Sequence, residues 1–195
     1  MEIAVQPQLS GILQCVKETR TPQSNAPGRA ARYDAEYERN RVAHLLLYYA
    51  PLENWHRVDV KKDHVATTWA VGVRQLVEED FPDAAPIALV MDNLNTHTGA
   101  SLYKAFEPAK ARRLLKKLEF VNTLKHDSWL HMAEIEFSAM DRQCLDRRLP
   151  DTDTVRKEAT AWATRRNASG VPAQWRFNTE DARIKLHSLF PAISD

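Results

Sequence analysis

Five consecutive apolar residues, Ile87-Ala88-Leu89-Val90-Met91, run without a charge into the polar stretch Asp92-Asn93-Leu94-Asn95-Thr96-His97. The run is too short for a helix and reads as a strand buried on both faces. A strand of that kind has to be covered by further elements on either side of its sheet, so the rest of the chain is constrained to supply them.

The surrounding pattern supplies them. Residues 42–49 (VAHLLLYY) are β-rich and apolar, Pro51 and Asn54 mark a turn, and residues 56–60 (HRVDV) alternate, which predicts a hairpin. Asp63 is placed to cap a helix with apolar positions Val65, Trp69, Val73, Leu76 and Val77, ending near Phe81-Pro82. Two short helices follow the polar stretch, one after Thr98 and one opened by Pro108, and then a strand over residues 118–123. A helix over residues 128–144 carries the stripe Leu130, Ala133, Phe137, Met140 and Cys144. Another fits residues 153–167, with Thr152 as its cap and Gly170 just beyond, and a last amphipathic helix would run from Thr179 to about Leu189. Residues 1–40, rich in Pro, Arg, Asn and Ser in their second half, are expected to form an irregular arm. The order is α/β with a mixed sheet.

Composition narrows the class further. With 195 residues, 44% of them hydrophobic, the chain is one domain with a real core. A formal charge of +1 advertises no overall affinity for nucleic acid, so any such surface is a local patch. Cys15 and Cys144 make no disulfide framework, which points to a reducing compartment. No apolar run reaches transmembrane length, and the start lacks the pattern of a signal peptide, so no membrane partner is expected.

Two acids stand out. Asp92 follows the buried strand, where ligands bind in open α/β sheets; as a plain alternative, Asp92 and Asn93 simply begin a turn. Glu134 lies beside Ala133 at the edge of the apolar stripe, whereas Glu136 points roughly 200° around the helix from it. A strand-end Asp and an inward-edge Glu are able to converge on a hard divalent cation such as Mg²⁺, and two such ions serve phosphoryl transfer. Zinc is the weaker reading: His131 and Glu134 stand at i and i+3, with His126 and His97 as further candidates, but the second histidine of a zincin helix is missing. No G-x-S-x-G occurs, Cys144 falls on the apolar stripe, and five isolated glycines form no phosphate loop. Lys110, Arg112, Arg113, Lys116 and Lys117 read as a solvated helix face; Arg29, Arg32, Arg39 and Arg41 form an Arg-rich arm able to track phosphates.

Several segments then carry a family resemblance. Val90-Met91-Asp92-Asn93-Leu94-Asn95-Thr96-His97 resembles the second-aspartate motif of bacterial insertion-sequence transposases of the mariner superfamily. Lys125-His126-Asp127-Ser128-Trp129-Leu130-His131-Met132-Ala133-Glu134-Ile135-Glu136 is similar to their third-acid motif. Ala26-Pro27-Gly28-Arg29, Tyr33-Asp34, Glu36-Tyr37-Glu38-Arg39-Asn40, Arg142-Gln143-Cys144-Leu145-Asp146-Arg147-Arg148, Trp175-Arg176-Phe177 and Asp181-Ala182-Arg183 extend the likeness from about residue 14 onward. The resemblance implies an RNase H-like mixed sheet flanked by helices, with extra C-terminal helices, over residues 41–195. It implies an Asp-Asp-Glu set in which Asp92 and Glu134 are catalytic acids and ligands of two Mg²⁺ (or Mn²⁺) ions. Asn93, Asn95 and His97 would support them, and Lys125, His126, Arg29, Arg32 and Arg39 would contact DNA. The implied partners are transposon-end and target DNA and a second transposase copy in a dimer, in the bacterial cytoplasm.

Departures from the pattern carry their own expectations. No acid occupies the region expected to hold the first aspartate, taken as Gln8-Leu9-Ser10-Gly11. The first catalytic strand and the helix-turn-helix domain are expected to be absent, and Asp34 is a poor substitute acid. Leu124, Asp127 and His131 replace the usual Pro, Gly and Asn. The expectation is a truncated or inactive copy, or a non-catalytic remnant that binds DNA or pairs with an intact transposase.

Overall fold

In the computed structural model, the residues described are 3–24, 26–30, 32, 34–91, 97–122 and 132–170. Strands β1 (Ile3–Glu18), β2 (Tyr37–Ala50), β3 (Trp55–Lys61), β4 (Ile87–Met91) and β5 (Leu118–Asn122) form one sheet in the order β3-β2-β1-β4-β5. β1, β2 and β3 are an antiparallel meander, while β4 runs parallel to β1 and β5 parallel to β4. Helices α1 (Ala66–Gln75), α2 (Gly99–Ala105) and α3 (Pro108–Leu115) accompany the β4–β5 half of the chain, and α4 (Met132–Met140) and α5 (Thr152–Ala168) follow β5. This is the RNase H-like mixed sheet flanked by helices.

The sheet separates two cores, and strand alternation assigns residues to each. On one face Ile3, Val5, Leu46 and Tyr48 pack with Trp69, Val73, Leu102 and Leu114 of α1–α3 and with Leu76 just after α1. On the other, Cys15, Leu45, Leu47 and Tyr49 pack with Ala133 and Met140 of α4 and with Val155, Ala159 and Trp162 of α5.

The largest correction concerns the N-terminus. Residues 3–18 are not irregular: they form the middle strand of the sheet and lie beside Val42–Tyr49. The place expected to lack a first strand is therefore filled. The reason is visible in Ile3, Val5 and Pro7, which are buried in alternation with the half-exposed Ala4 and Gln6. Between β1 and β2, backbone bonds pair Gln23 with Arg32 and Ala26 with Arg29, so the Pro- and Arg-rich stretch holds a small hairpin that turns at Gly28, φ 74°.

β4 is an interior strand, as its composition predicts, but only Ile87, Leu89 and Met91 are fully buried; Ala88 and Val90 are half-covered. The two long predicted helices each end in a wider, π-helical turn, Leu76–Asp80 after α1 and Asp141–Leu145 after α4. Asp63 does not cap α1: it accepts the Thr68 hydroxyl at 2.5 Å and the Val65 N–H at 3.4 Å in the preceding turn. The cap of α5 is Asp151, which accepts the Thr154 N–H at 2.7 Å, rather than Thr152. The extra C-terminal helix beyond residue 170 falls outside the described residues.

Candidate functional site

Glu134 lies in the first turn of α4, half-buried, with the fully buried Ala133 before it. The stripe of Ala133, Met140 and Cys144 anchors this helix on the sheet, so Glu134 is held at the margin of the packed face, as the spacing predicts. The Ala133 N–H donates to Gln6 Oε1 at 3.0 Å. That bond satisfies one of the amides that a helix's first turn leaves without an internal acceptor.

Gln6 thus stands between two places that the sequence singles out. Its side chain meets the helix turn that carries Glu134. Its backbone lies on β1, whose parallel register with β4 runs Ile3–Ile87, Ala4–Ala88 and Val5–Leu89. One further step brings Gln6 level with Val90, near the end of β4; Asp92 is the next residue but one in the sequence. Asp92, Asn93 and Asn95 lie outside the described residues, and so does the expected approach of the Asp92 and Glu134 carboxylates. The sequence reading did not single out Gln6, because its bond to α4 joins residues 127 apart in the chain. The period-two pattern of Ile3, Val5 and Pro7 against Ala4 and Gln6 was the available signal.

Of the two candidate acids, Glu134 is the one among the described residues, and the neutral Gln6 stands beside its helix turn. Gln6 offers a neutral amide oxygen already engaged by a backbone N–H, whereas hard divalent ions favour charged oxygen ligands. Among the described residues no group of three His, Cys, Asp or Glu side chains is placed to hold a metal ion. Asp34 does not join this corner. It pairs with Arg20 at 3.3 Å, beside the far end of β1 where Glu18 meets Tyr37. That end is roughly 40 Å along the strand from Gln6.

Glu136, which the helical spacing turns away from Glu134, has a separate task. It accepts from His56 Nε2 at 3.3 Å and from Arg166 through both Nε, at 3.1 Å, and Nη2. His56 is fully buried, stacks on Tyr49, and shares its other ring nitrogen with Asn167 Oδ1 at 3.0 Å. Burial pushes the Glu136 carboxyl up, but hydrogen bonds from His56 and Arg166 and the Arg166 charge outweigh it and hold the group below the usual carboxylate range. The network ties α4 to β3 and α5 and fixes the rotation of the helix that presents Glu134.

The remaining predicted residues separate. His97 is buried and stacks on Trp69 of α1, ring centroids 5.4 Å apart, on the sheet face opposite α4. It therefore does not join Glu134, which removes it from the zinc reading; His126 and His131 lie outside the described residues, as does Lys125. Arg29 and Arg32 sit on the exposed N-terminal hairpin and Arg39 on the exposed start of β2. Lys110 and Arg113 form a surface ion-pair cluster with Glu78 at 3.4 and 2.9 Å, in keeping with a solvated helix face.

Comparison with known proteins gives a consistent result. The profile of the DDE superfamily endonuclease family matches residues 13–156. Among solved structures, the Mos1 transposase paired-end complex with left transposon end is similar at a TM-score of 0.55 and 15% identity, over 95% of this chain and 52% of that one. The Mos1 strand transfer complex is similar at 0.54 and 13% identity, over 96% and 51%. The Mos1 mariner paired end complex with Mn is similar at 0.52 and 14% identity, over 95% and 52%. At these identities the likeness is one of fold, and the chain spans about half the length of the chains it matches. No curated protein matches.

Proposed function

Because the chain belongs to the DDE superfamily endonuclease family, we propose that it is a transposase-type domain that engages DNA but does not cut it unaided. The observation that carries this reading is Gln6: a neutral side chain occupies the β1 position that touches the helix of Glu134. With a neutral side chain there, Asp92 and Glu134 are the carboxylates that the family-like motifs supply to hold Mg²⁺ or Mn²⁺. Two charges are too few to fix a pair of divalent ions at the spacing that in-line phosphoryl transfer requires. No reaction step is therefore assigned to the ions. In this reading Asp92, Asn93, Asn95, Lys125, His126 and Glu134 serve DNA at the strand-end and helix-turn corner, Arg29, Arg32 and Arg39 meet it at the far end of the β1–β2 ribbon, and His97 supports the fold from the opposite face of the sheet.

Transposon-end DNA of a bacterial insertion sequence, in the cytoplasm, is the proposed substrate class. A silent domain of this kind would act by occupying ends or by pairing with an intact transposase. The test is an end-cleavage and strand-transfer assay with Mg²⁺ and with Mn²⁺, run beside a DNA-binding assay and with Asp92→Ala and Glu134→Ala controls. The expected result is binding without cleavage. Cleavage by the parent chain that disappears in both controls would overturn the silent reading, and absence of DNA binding would overturn the DNA-engaging reading.

A further inference from the structure

A second feature lies where the ends of β2 and β3 meet the start of α5. Here a cleft of about 610 Å³ is lined by Arg41, Val42, Lys61, Lys62, Thr152, Asp153 and Arg156. Four cations face one carboxylate. That carboxylate, Asp153, is already paired with Arg156 at 2.5 Å, and Lys61 reaches Asp59 at 3.5 Å. Arg41 and Lys62 are exposed and have no ion-pair partner among the described residues. The cations come from different elements, and Arg41, Lys61 and Arg156 lie in regular structure. Arg41 lies just before the β2–β3 ladder that pairs His44 with Lys61, Lys62 follows β3, and Arg156 is in the second turn of α5 and donates to Val60 O at 3.4 Å.

Like charges gathered on a rigid scaffold repel one another, and a bound polyanion relieves that repulsion. An open cleft of this size admits a strand of phosphates rather than burying a small molecule. We propose that this cleft grips the phosphodiester backbone of duplex DNA, with Arg41 and Lys62 as its principal contacts and Lys61 and Arg156 flanking them. The proposal rests on the DNA-engaging reading above and extends it to residues outside the acid corner. Contacts of this kind position DNA without reading its sequence, so the cleft serves non-specific affinity.

The experiment measures binding of a fluorescein-labelled duplex of about 25 base pairs by anisotropy over a series of NaCl concentrations. The proteins are the intact chain, the pair Arg41→Glu/Lys62→Glu, and a control with the same charge change at exposed positions of α3 and its C-terminal cap, Arg112→Glu/Lys116→Glu. Circular dichroism confirms that each is folded. The cleft pair should bind at least ten-fold more weakly than the parent, with a log K against log [NaCl] slope shallower by about 2, since each phosphate contact contributes about 0.9. The α3 pair should stay within about three-fold of the parent. Equal weakening in both pairs, or parental affinity in the cleft pair, would overturn the cleft. Displacement of the duplex by sodium phosphate beyond what NaCl of equal ionic strength causes would assign the cleft to a free anion and overturn it too. A parent that binds no DNA defeats the DNA-engaging reading itself and takes the cleft with it.

Discussion

Replacing Glu136 by Gln isolates the network that sets the rotation of α4. Gln keeps the shape and one acceptor oxygen, but its NH₂ faces a donor where a carboxylate oxygen stood. The native group accepts two bonds from Arg166 and one from His56. A charge-assisted bond contributes about 1.5–3 kcal/mol. The Glu136 side chain is only 12% exposed, which argues for the upper part of that range; Arg166, at 36%, can turn to water, which argues for a discount. The net expectation is a loss of about 2–3 kcal/mol, a fall in Tm of about 5–10 °C for a chain of this size. The pH dependence has a definite sign. Because folding holds the Glu136 carboxyl below its ordinary range, the stabilisation is complete above the unfolded carboxylate pKa of about 4.3 and disappears as pH falls through the native value. Urea unfolding of parent and variant should therefore differ by the full amount at pH 7 and converge towards pH 3. A difference under about 0.5 kcal/mol at pH 7, or one that widens on acidification, would refute the reasoning.

Three further outcomes are expected. Gln6→Asp should add the charge that the acid corner lacks and tighten Mn²⁺ binding at least ten-fold, read by electron paramagnetic resonance; the gain should vanish when Glu134→Gln is added, and an unchanged affinity would show that position 6 does not face the site. Gly72→Ala should destabilise the fold by about 1 kcal/mol in urea, because the new methyl overlaps Tyr48 Oη, whose ring is buried under Arg57, and overpacking of about 1–3 kcal/mol outweighs the helix preference for Ala; a more stable variant would contradict this. Trp162→Ala should cost about 3–5 kcal/mol by emptying the α5 side of the core and freeing Gln143 from its 2.8 Å bond, measured as a lower urea midpoint, and a loss below 1 kcal/mol would count against the packing described.

What the sequence discloses here follows from the range of the interactions involved. β2, β3, β4, β5 and the helices are legible because each is written in local periodicity, and Glu134 is legible because a stripe of Ala133, Met140 and Cys144 fixes which way it turns. β1 is not legible from residues 1–40 as a whole. Its pattern is brief, is interrupted by Pro7, and gains its strand character from partners at residues 37–50 and 87–89. The same long-range pairing hides Gln6, whose meaning depends on a helix that begins at residue 132. The acid-network role of Glu136 is equally remote, since spacing shows only that it faces away from Glu134, and not that His56 and Arg166 wait there. Asp151 outcompetes Thr152 as the cap of α5 for a local reason: its carboxylate reaches the Thr154 N–H, and choosing between adjacent capping residues needs the backbone angles.

The bond from Ala133 to Gln6 closes a loop of 127 residues, while the far end of the β1–β2 ribbon closes one of about 20. Loop entropy makes the first closure about 1.6 kcal/mol more costly than the second. The meander can therefore form early and the acid corner last, after β4 and α4 have docked. During synthesis at roughly 5–20 residues per second, β1 emerges on the order of ten seconds before its helix partner exists. Its side facing the future β4 is an open edge for that interval, and open edges recruit wrong strands. Pro7, which has no N–H to give, leaves that waiting edge one donor short.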